Sequence, residues 1–313
     1  MSIHVDGATG PVAGTYDGNK FHPSQPWEFG EQYSVTVTSD NPQGRRGTNR
    51  ATFATIVKPE LVEVGLYPEG DTVGVGMPAV LWFSRSVPPQ DRDALQSHLT
   101  VRSNPPVEGA WRWISDDTLH WRPRSFWPPH TTVTVTADVR GQHAGDAWFT
   151  ESWVKQFTIG AQQRISIDAA SHTMLASRDN QPVRSMAIST GRDAYPTASG
   201  IDLIMEKHDR FEMDSTSVGI TGSEAYRLVV DNAQRLTNSG TFIHAAPWNG
   251  LLGVANISHG CINASATDAA WMMEFTQVGD PVEVLNTPEQ VAYTNGWGDW
   301  NLTWEQWLVP ADV

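Results

Sequence analysis

The chain has a single cysteine, Cys261, so no internal disulfide can form and its modules must hold together by burial alone. No apolar run approaches the roughly 20 residues of a membrane span. The opening Met1-Ser2-Ile3-His4 has no basic flank leading into an apolar stretch, so it is not expected to begin a signal peptide. That leaves two readings, a cytosolic protein or the mature part of an exported one, and composition does not separate them. Basic residues are scarce: 21 Lys and Arg against 35 Asp and Glu leave a formal net charge of −14. Such a surface repels phosphate backbones, so no nucleic-acid partner is expected, while a cationic or zwitterionic substrate is tolerated. Internal repeats and low-complexity stretches are also missing.

What is present is apolar and aromatic material. Hydrophobic residues make up 39% of the 313, and there are 14 tryptophans, each able to remove a large area from water. The indoles are expected mainly in cores, with exposed platforms for sugars as the competing reading. The length suggests two or three modules. Residues 1–58 are glycine-rich and polar until the alternating Tyr33-Ser34-Val35-Thr36-Val37-Thr38. A second strand at 51–57 stops at Lys58-Pro59, so this segment reads as a partial immunoglobulin-like module. Residues 59–160 carry strand signals at 61–66, 79–83, 98–102, 109–114, 118–121, 131–139 and 153–159. With one helical insert at 89–95, they predict an immunoglobulin-like sandwich in which Val133 and Val135 point inward and Thr132, Thr134 and Thr136 outward. From residue 161 the texture changes to a hairpin at 165–168 and 172–175, strands at 181–189, 199–205 and 241–244, and a loop at 219–225. Ser265-Ala266-Thr267-Asp268 then reads as the cap of a helix at 269–277, and a strand at 281–285 closes the domain at about 287. The tail, 288–313, has tryptophans spaced too closely for one helix face and is expected to pack on that domain.

Cys261 lies in Ser258-His259-Gly260-Cys261-Ile262-Asn263, with His244 at the end of the preceding strand. A free thiol is only a few per cent thiolate at neutral pH, so a nucleophilic cysteine needs a base or a helix N-terminus. Both are expected here: His244, held by the turn Ala245-Ala246-Pro247-Trp248, and the helix after Ser265. The N–H groups at Gly260 and Cys261 would face a developing oxyanion. Two blander readings compete. Cys261 and His259 can be ordinary core groups, or His244, His259 and Cys261 can ligate zinc, although no fourth ligand or Cys-x-x-Cys accompanies them.

These motifs resemble the L,D-transpeptidase catalytic domain, the YkuD family. The likeness extends to Phe242-Ile243-His244-Ala245-Ala246-Pro247-Trp248, Tyr226-Arg227, Met213-Asp214-Ser215, Gly279-Asp280-Pro281-Val282-Glu283-Val284 and Gly298-Asp299-Trp300-Asn301, in the manner of mycobacterial members. The resemblance implies a mainly β protein. Immunoglobulin-like modules would precede a β-sandwich catalytic domain with a lid hairpin over the cysteine and a short helix after it. It implies an acyltransferase in which Cys261 attacks the diaminopimelate carbonyl of a donor tetrapeptide stem and expels D-alanine. The acyl group would then pass to the diaminopimelate amine of an acceptor stem, giving a 3→3 cross-link in peptidoglycan. His244 would be the base, and His259, Gly260 and Cys261 would supply the oxyanion donors. Tyr226, Met213, Ser239, Gly240, Trp248, Asn263 and Ser258 would line or shape the substrate channels, with core or turn-forming roles as alternatives for Met213, Trp248 and Asn263. No cofactor and no metal are implied, carbapenem-type β-lactams would acylate the cysteine, and a monomer exported to the cell wall is expected, its modules serving as spacers. One departure stands out: serine usually follows the first histidine, and here it is Ala245, which can still offer a backbone carbonyl. The loop from His244 to Ser258 is also slightly short for the family. A hydrolase that trims stems, or a catalytically weak wall-binding module, are the other readings.

Overall fold

The computed structural model describes residues 2–17, 20–40 and 42–311. It divides into two compact units, Met1–Leu61 with Asp146–Trp148, and Val62–Gly145 with Phe149–Val313. The first unit holds a four-stranded antiparallel sheet whose strands run in the order Gly10–Pro11, Ser2–Gly7, Gln32–Asp40, Arg46–Ala54, and a two-stranded one of Gly14–Asp17 with Lys20–Pro23. The strand predicted at 51–57 starts earlier and ends earlier than its apolar run. Pairing along the whole of Gln32–Asp40, from Gln32↔Ala54 to Asp40↔Arg46, sets its length. Ser2–Gly7 was hidden in a polar lead-in; it is a strand because it too pairs with Gln32–Asp40.

The second unit begins with the predicted sandwich. One sheet is built from Gly109–Trp113, Thr118–Pro123, Ala79–Phe83 and Val64–Tyr67, the other from Leu99–Asn104, Thr132–Ala137, Trp153–Ile159 and the short parallel Thr72–Val73. Val133 and Val135 are fully buried between the sheets, beside Leu81, Leu119, Phe157 and Trp127, while their threonine neighbours face outward. Of the tryptophans, Trp113, Trp121, Trp127 and Trp307 are buried, whereas Trp82, Trp148 and Trp248 are exposed.

The body that follows is one nine-stranded sheet. Its strands are β1 (Gln163–Asp168), β2 (Thr173–Arg178), β3 (Gln181–Ser189), β4 (Gly200–Leu203), β5 (Glu206–Asp214), β6 (Arg227–Arg235), β7 (Phe242–Ala245), β8 (Ile262–Ala264) and β9 (Pro281–Leu285), in the order β4-β9-β1-β2-β3-β8-β7-β6-β5. Helix α1 (Ala266–Phe275) packs on β6 and β7 over a core of Ile243, Ile262, Leu236, Met272 and their neighbours. The hairpin β5–β6 has no counterpart among the strands read from the sequence. Glu206–Asp214 is mostly charged and largely open to water, so no alternation betrays it, and only the ladder from Glu206↔Arg235 to Asp214↔Arg227 reveals it.

The tail lies against both parts of the second unit rather than on the nine-stranded body alone. Asn301 makes paired 2.8 Å bonds to the backbone of Ile201 in β4. Trp300 and Trp307 donate their indole N–H groups to Gly76 O and Ala110 O of the sandwich, at 2.8 and 3.0 Å. Arg122 of the sandwich sits among the rings of Trp300, Trp304 and Trp307 at 4.7, 5.5 and 4.7 Å, a desolvated cation–π cage. Backbone bonds from Gly74 to Val278 and from Gly76 to Gly279 join sandwich and body directly.

Candidate active site

Parallel pairing of β7 with β8 builds the centre of the site. The register Ile243↔Ile262, His244↔Asn263, Ala245↔Ala264 sets His244 beside Asn263 and brings Cys261, the residue before β8, next to Phe242. Apolar Ile243 and Ile262 anchor the two strands in the core beneath α1. On the opposite side Cys261 joins Met213, Val230, Ala233 and Phe242 under Phe211, Tyr226 and Leu228 of the β5–β6 hairpin, which therefore lies over the thiol as a lid.

A cavity of about 460 Å³ opens here. It is lined by Cys261, His244, His259, Ser258, Asn263, Tyr226, Met213 and Trp248, eight of the residues singled out from the sequence. Gly260, Ser239 and Gly240 are not on its wall. Gly260 holds the catalytic loop in shape with a φ of 113°, a conformation that disfavours any side chain. Its N–H donates to Ser258 Oγ at 3.1 Å, and Ser258 Oγ donates to Cys261 O at 2.6 Å. Gly260 N–H is thus already engaged. Gly240 accepts the Cys261 thiol through its carbonyl, with Sγ at 3.6 Å. Ser239 turns away to Thr237 and Asn295.

His244 is buried, and its tautomer follows from its partners. Nδ1–H donates to Ala245 O at 2.8 Å, so Nε2 carries the lone pair and accepts from Asn263 Nδ2 at 3.1 Å. Alanine after the histidine therefore supplies what orients the ring: the contact is to the backbone. Asn249, which the sequence reading missed, donates to Asn263 Oδ1 at 3.1 Å and completes a chain Asn249–Asn263–His244–Ala245. Trp248, exposed at the rim, stacks at 6.2 Å on the imidazole.

The helix was expected to acidify the thiol; burial acts in the opposite direction. The first turn of α1 is closed by its own cap, Ser265 Oγ accepting from Asp268 N, and three residues of β8 separate it from Cys261. Burial pushes the Cys261 thiol up to about 11. Burial also lowers the pKa of His244, only partly offset by the bond to Ala245 O, so the imidazole is neutral near pH 7. In the resting pocket both groups are uncharged. Burial of both groups works against moving the proton from Sγ to Nε2 in the empty pocket. Among the described residues no three His, Cys, Asp or Glu side chains gather as metal ligands.

The chain matches the model of the L,D-transpeptidase catalytic domain over residues 162–284 and that of a bacterial Ig domain over residues 2–143. It is 34% identical over 305 residues to L,D-transpeptidase 2 of Mycobacterium tuberculosis, covering 95% of this chain and 74% of that protein. This chain belongs to the L,D-transpeptidases. It is also 30% identical to L,D-transpeptidase 5 of the same species over 95% of this chain and 67% of that one. The solved L,D-transpeptidase LdtMt1 in complex with imipenem superposes with a TM-score of 0.64 at 33% identity, over 73% of this chain and all of that one. L,D-transpeptidase 3 of M. tuberculosis with a faropenem-derived adduct gives 0.60 at 33%, over 72% and 98%. The protein is accordingly a cysteine-based acyltransferase with a mainly β architecture.

Besides Asn249, sequence reasoning missed Arg192, Glu224, Leu228 and Ile257 around the cavity. None carries a local signal: they come from three separate segments that only the folded chain assembles.

Proposed function

We propose that this L,D-transpeptidase forms 3→3 cross-links in peptidoglycan, with Cys261 as the acylated residue. The observation that carries the reading is the cavity shared by Cys261 and His244, whose ring is fixed with Nε2 unprotonated and held by Asn263. As Cys261 Sγ attacks the carbonyl of the third stem residue, its proton passes to Nε2, with Asn263 yielding that nitrogen. The C–N bond then breaks, His244 returns the proton to the departing amine of D-alanine, and a thioester remains. The side-chain amine of diaminopimelate on a second stem attacks the thioester and gives a proton to His244, and the sulfur leaves and is reprotonated. Cys261 N–H faces the oxyanion in both halves. Substrate entry beneath the lid excludes water, which favours the amine over hydrolysis.

Carbapenems present a strained acyl donor to the same sulfur. The relatives solved with imipenem and with a faropenem-derived adduct support this reading. Action as a monomer at the cell wall, with the immunoglobulin-like modules as spacers, fits a peptidoglycan substrate.

Intact mass after incubation with a carbapenem tests the chemistry. An adduct is expected in the native chain and none in Cys261→Ala. His244→Ala should be acylated about a hundredfold more slowly, the scale of a lost general base. A purified disaccharide-tetrapeptide should yield a cross-linked dimer with free D-alanine. A trimmed tripeptide alone would replace transpeptidation by hydrolysis, and an unmodified mass would leave a wall-binding module.

A further inference from the structure

The lid meets the catalytic loop through charge. Glu224 ends the short turn Gly222–Glu224 between β5 and β6. Its Oε2 accepts from Arg192 Nη2 at 2.5 Å and lies 3.0 Å from His259 Nε2, while Arg192 Nη2 is itself 3.1 Å from that ring nitrogen. One nitrogen cannot serve both neighbours. As N–H it donates to Glu224; as a lone pair it accepts from Arg192. In either state three groups converge on one point, from the lid, from the loop after β3, and from the position two before Cys261.

The two sides of this contact are held differently. Arg192 and His259 belong to the body: Arg192 N–H donates to Ser258 O at 3.1 Å, Gly191 bridges Ser258, and Thr197 Oγ donates to Gly260 O at 2.8 Å. Tyr195 and Tyr226 place their rings 5.0 and 5.2 Å from that of His259. The lid segment, by contrast, is braced within itself, Asp214 capping Thr216 and Ser215 Oγ accepting from Tyr226 N at 2.8 Å. Side chains of Arg192 and Glu224 remain 34% and 46% exposed, so salt screens their attraction as it would not screen a buried pair.

We propose that Glu224 is a positioning residue that clasps the lid to the catalytic loop through Arg192 and His259, keeping Tyr226 and His259 over Cys261 in the closed site. This rests on Cys261 being the residue acylated. Releasing the clasp frees the lid without unfolding the body beneath it, because β5 and β6 stay paired and the core lies on the other face of the sheet. Lids of this kind gate entry and complete the catalytic constellation.

The test uses the full chain and two readouts: hydrogen–deuterium exchange across residues 215–226, and the limiting rate of acylation by a saturating carbapenem. The variants are Glu224→Ala, Glu224→Gln, Arg192→Glu and the swap Arg192→Glu with Glu224→Arg. Each is measured at about 50 and about 500 mM NaCl, which spans a large change in screening length. Glu224→Ala should raise lid exchange about tenfold and lower the acylation rate about fivefold, with Glu224→Gln between it and the native chain. High salt should move the native chain in the same direction and leave Glu224→Ala unaffected. The swap should recover to within about threefold of native, a rescue that a merely structural role would not give. Lid exchange in Glu224→Ala equal to native, or a swap no better than its single variants, overturns the clasp. Exchange is also read in a Cys261→Ala background. A clasp effect there with no acylation of the native chain would overturn the assignment of Cys261 instead.

Discussion

Two histidine–carboxylate pairs in this enzyme share their chemistry and differ in everything around them. His120 of the sandwich and Asp299 of the tail meet with both carboxylate oxygens 3.0 Å from Nδ1, their side chains 3% and 0% exposed. His259 and Glu224 meet at the same 3.0 Å, but at 23% and 46% exposed. Water can replace a partner at the second pair and cannot at the first. The buried pair therefore fixes the tail across sandwich and body, whereas the open pair can release and reform. Burial, not the pair itself, separates a joint from a latch.

Breaking the joint should have the largest effect. Asp299→Ala leaves a buried imidazole unpartnered and should lower the free energy of unfolding by about 3 kcal/mol, measured by denaturant titration. A smaller effect per pH unit, though one that accumulates over several units, comes from carboxyls that burial strands without any histidine. Asp280 and Asp202 are 0% and 3% exposed, each with Oδ1 unpartnered, and their pKa values are raised to about 8 and about 7 by loss of hydration. Folded values above the unfolded ones mean that their contribution is fully present below about pH 4 and is lost as pH rises through 7 and 8. Stability should thus fall between pH 5 and 8 by up to about 1.4 kcal/mol per pH unit for each carboxyl, and Asp280→Asn should flatten that slope. Next, Arg122→Met keeps bulk in the tryptophan cage and removes the cation, for an expected loss of about 1 kcal/mol. Smallest of all, Glu224→Ala should leave the unfolding midpoint where it is, although it moves the lid. A shift as large as that of Asp299→Ala would erase the distinction between the two pairs.

The sequence disclosed what local pattern encodes. Strands with clean alternation, such as Thr132–Ala137, or with apolar runs, such as Ala79–Phe83 and Pro281–Leu285, were legible because side-chain period and burial agree. The capped helix after Cys261 was legible from Ser265 and Asp268, only shifted toward its N-terminus. The lid strands escaped: one face of Glu206–Asp214 carries charge that pairs across the hairpin, as in Glu212 with Arg227, so polarity hid the period.

Within the site, Cys261 and His244 stood out as residue types with few other reasons to be adjacent in a motif, and the orienting carbonyl at Ala245 depends only on the backbone. Which groups complete them was another matter. Arg192, Glu224 and Asn249 are ordinary polar residues in loops, distinguished only by where β3, the lid and the turn after β7 deliver them. The state of the thiol was likewise beyond composition, since the ~11 reached by Cys261 comes from the apolar lid residues above it. The amino-acid order alone carried the β architecture and singled out the Cys261–His244 pair, because these follow from period and from intrinsic chemistry. Tertiary structure decided the lid, the clasp, the joint at Asp299 and the resting charge of the pair, because each depends on distance and on access of water, which no local pattern contains.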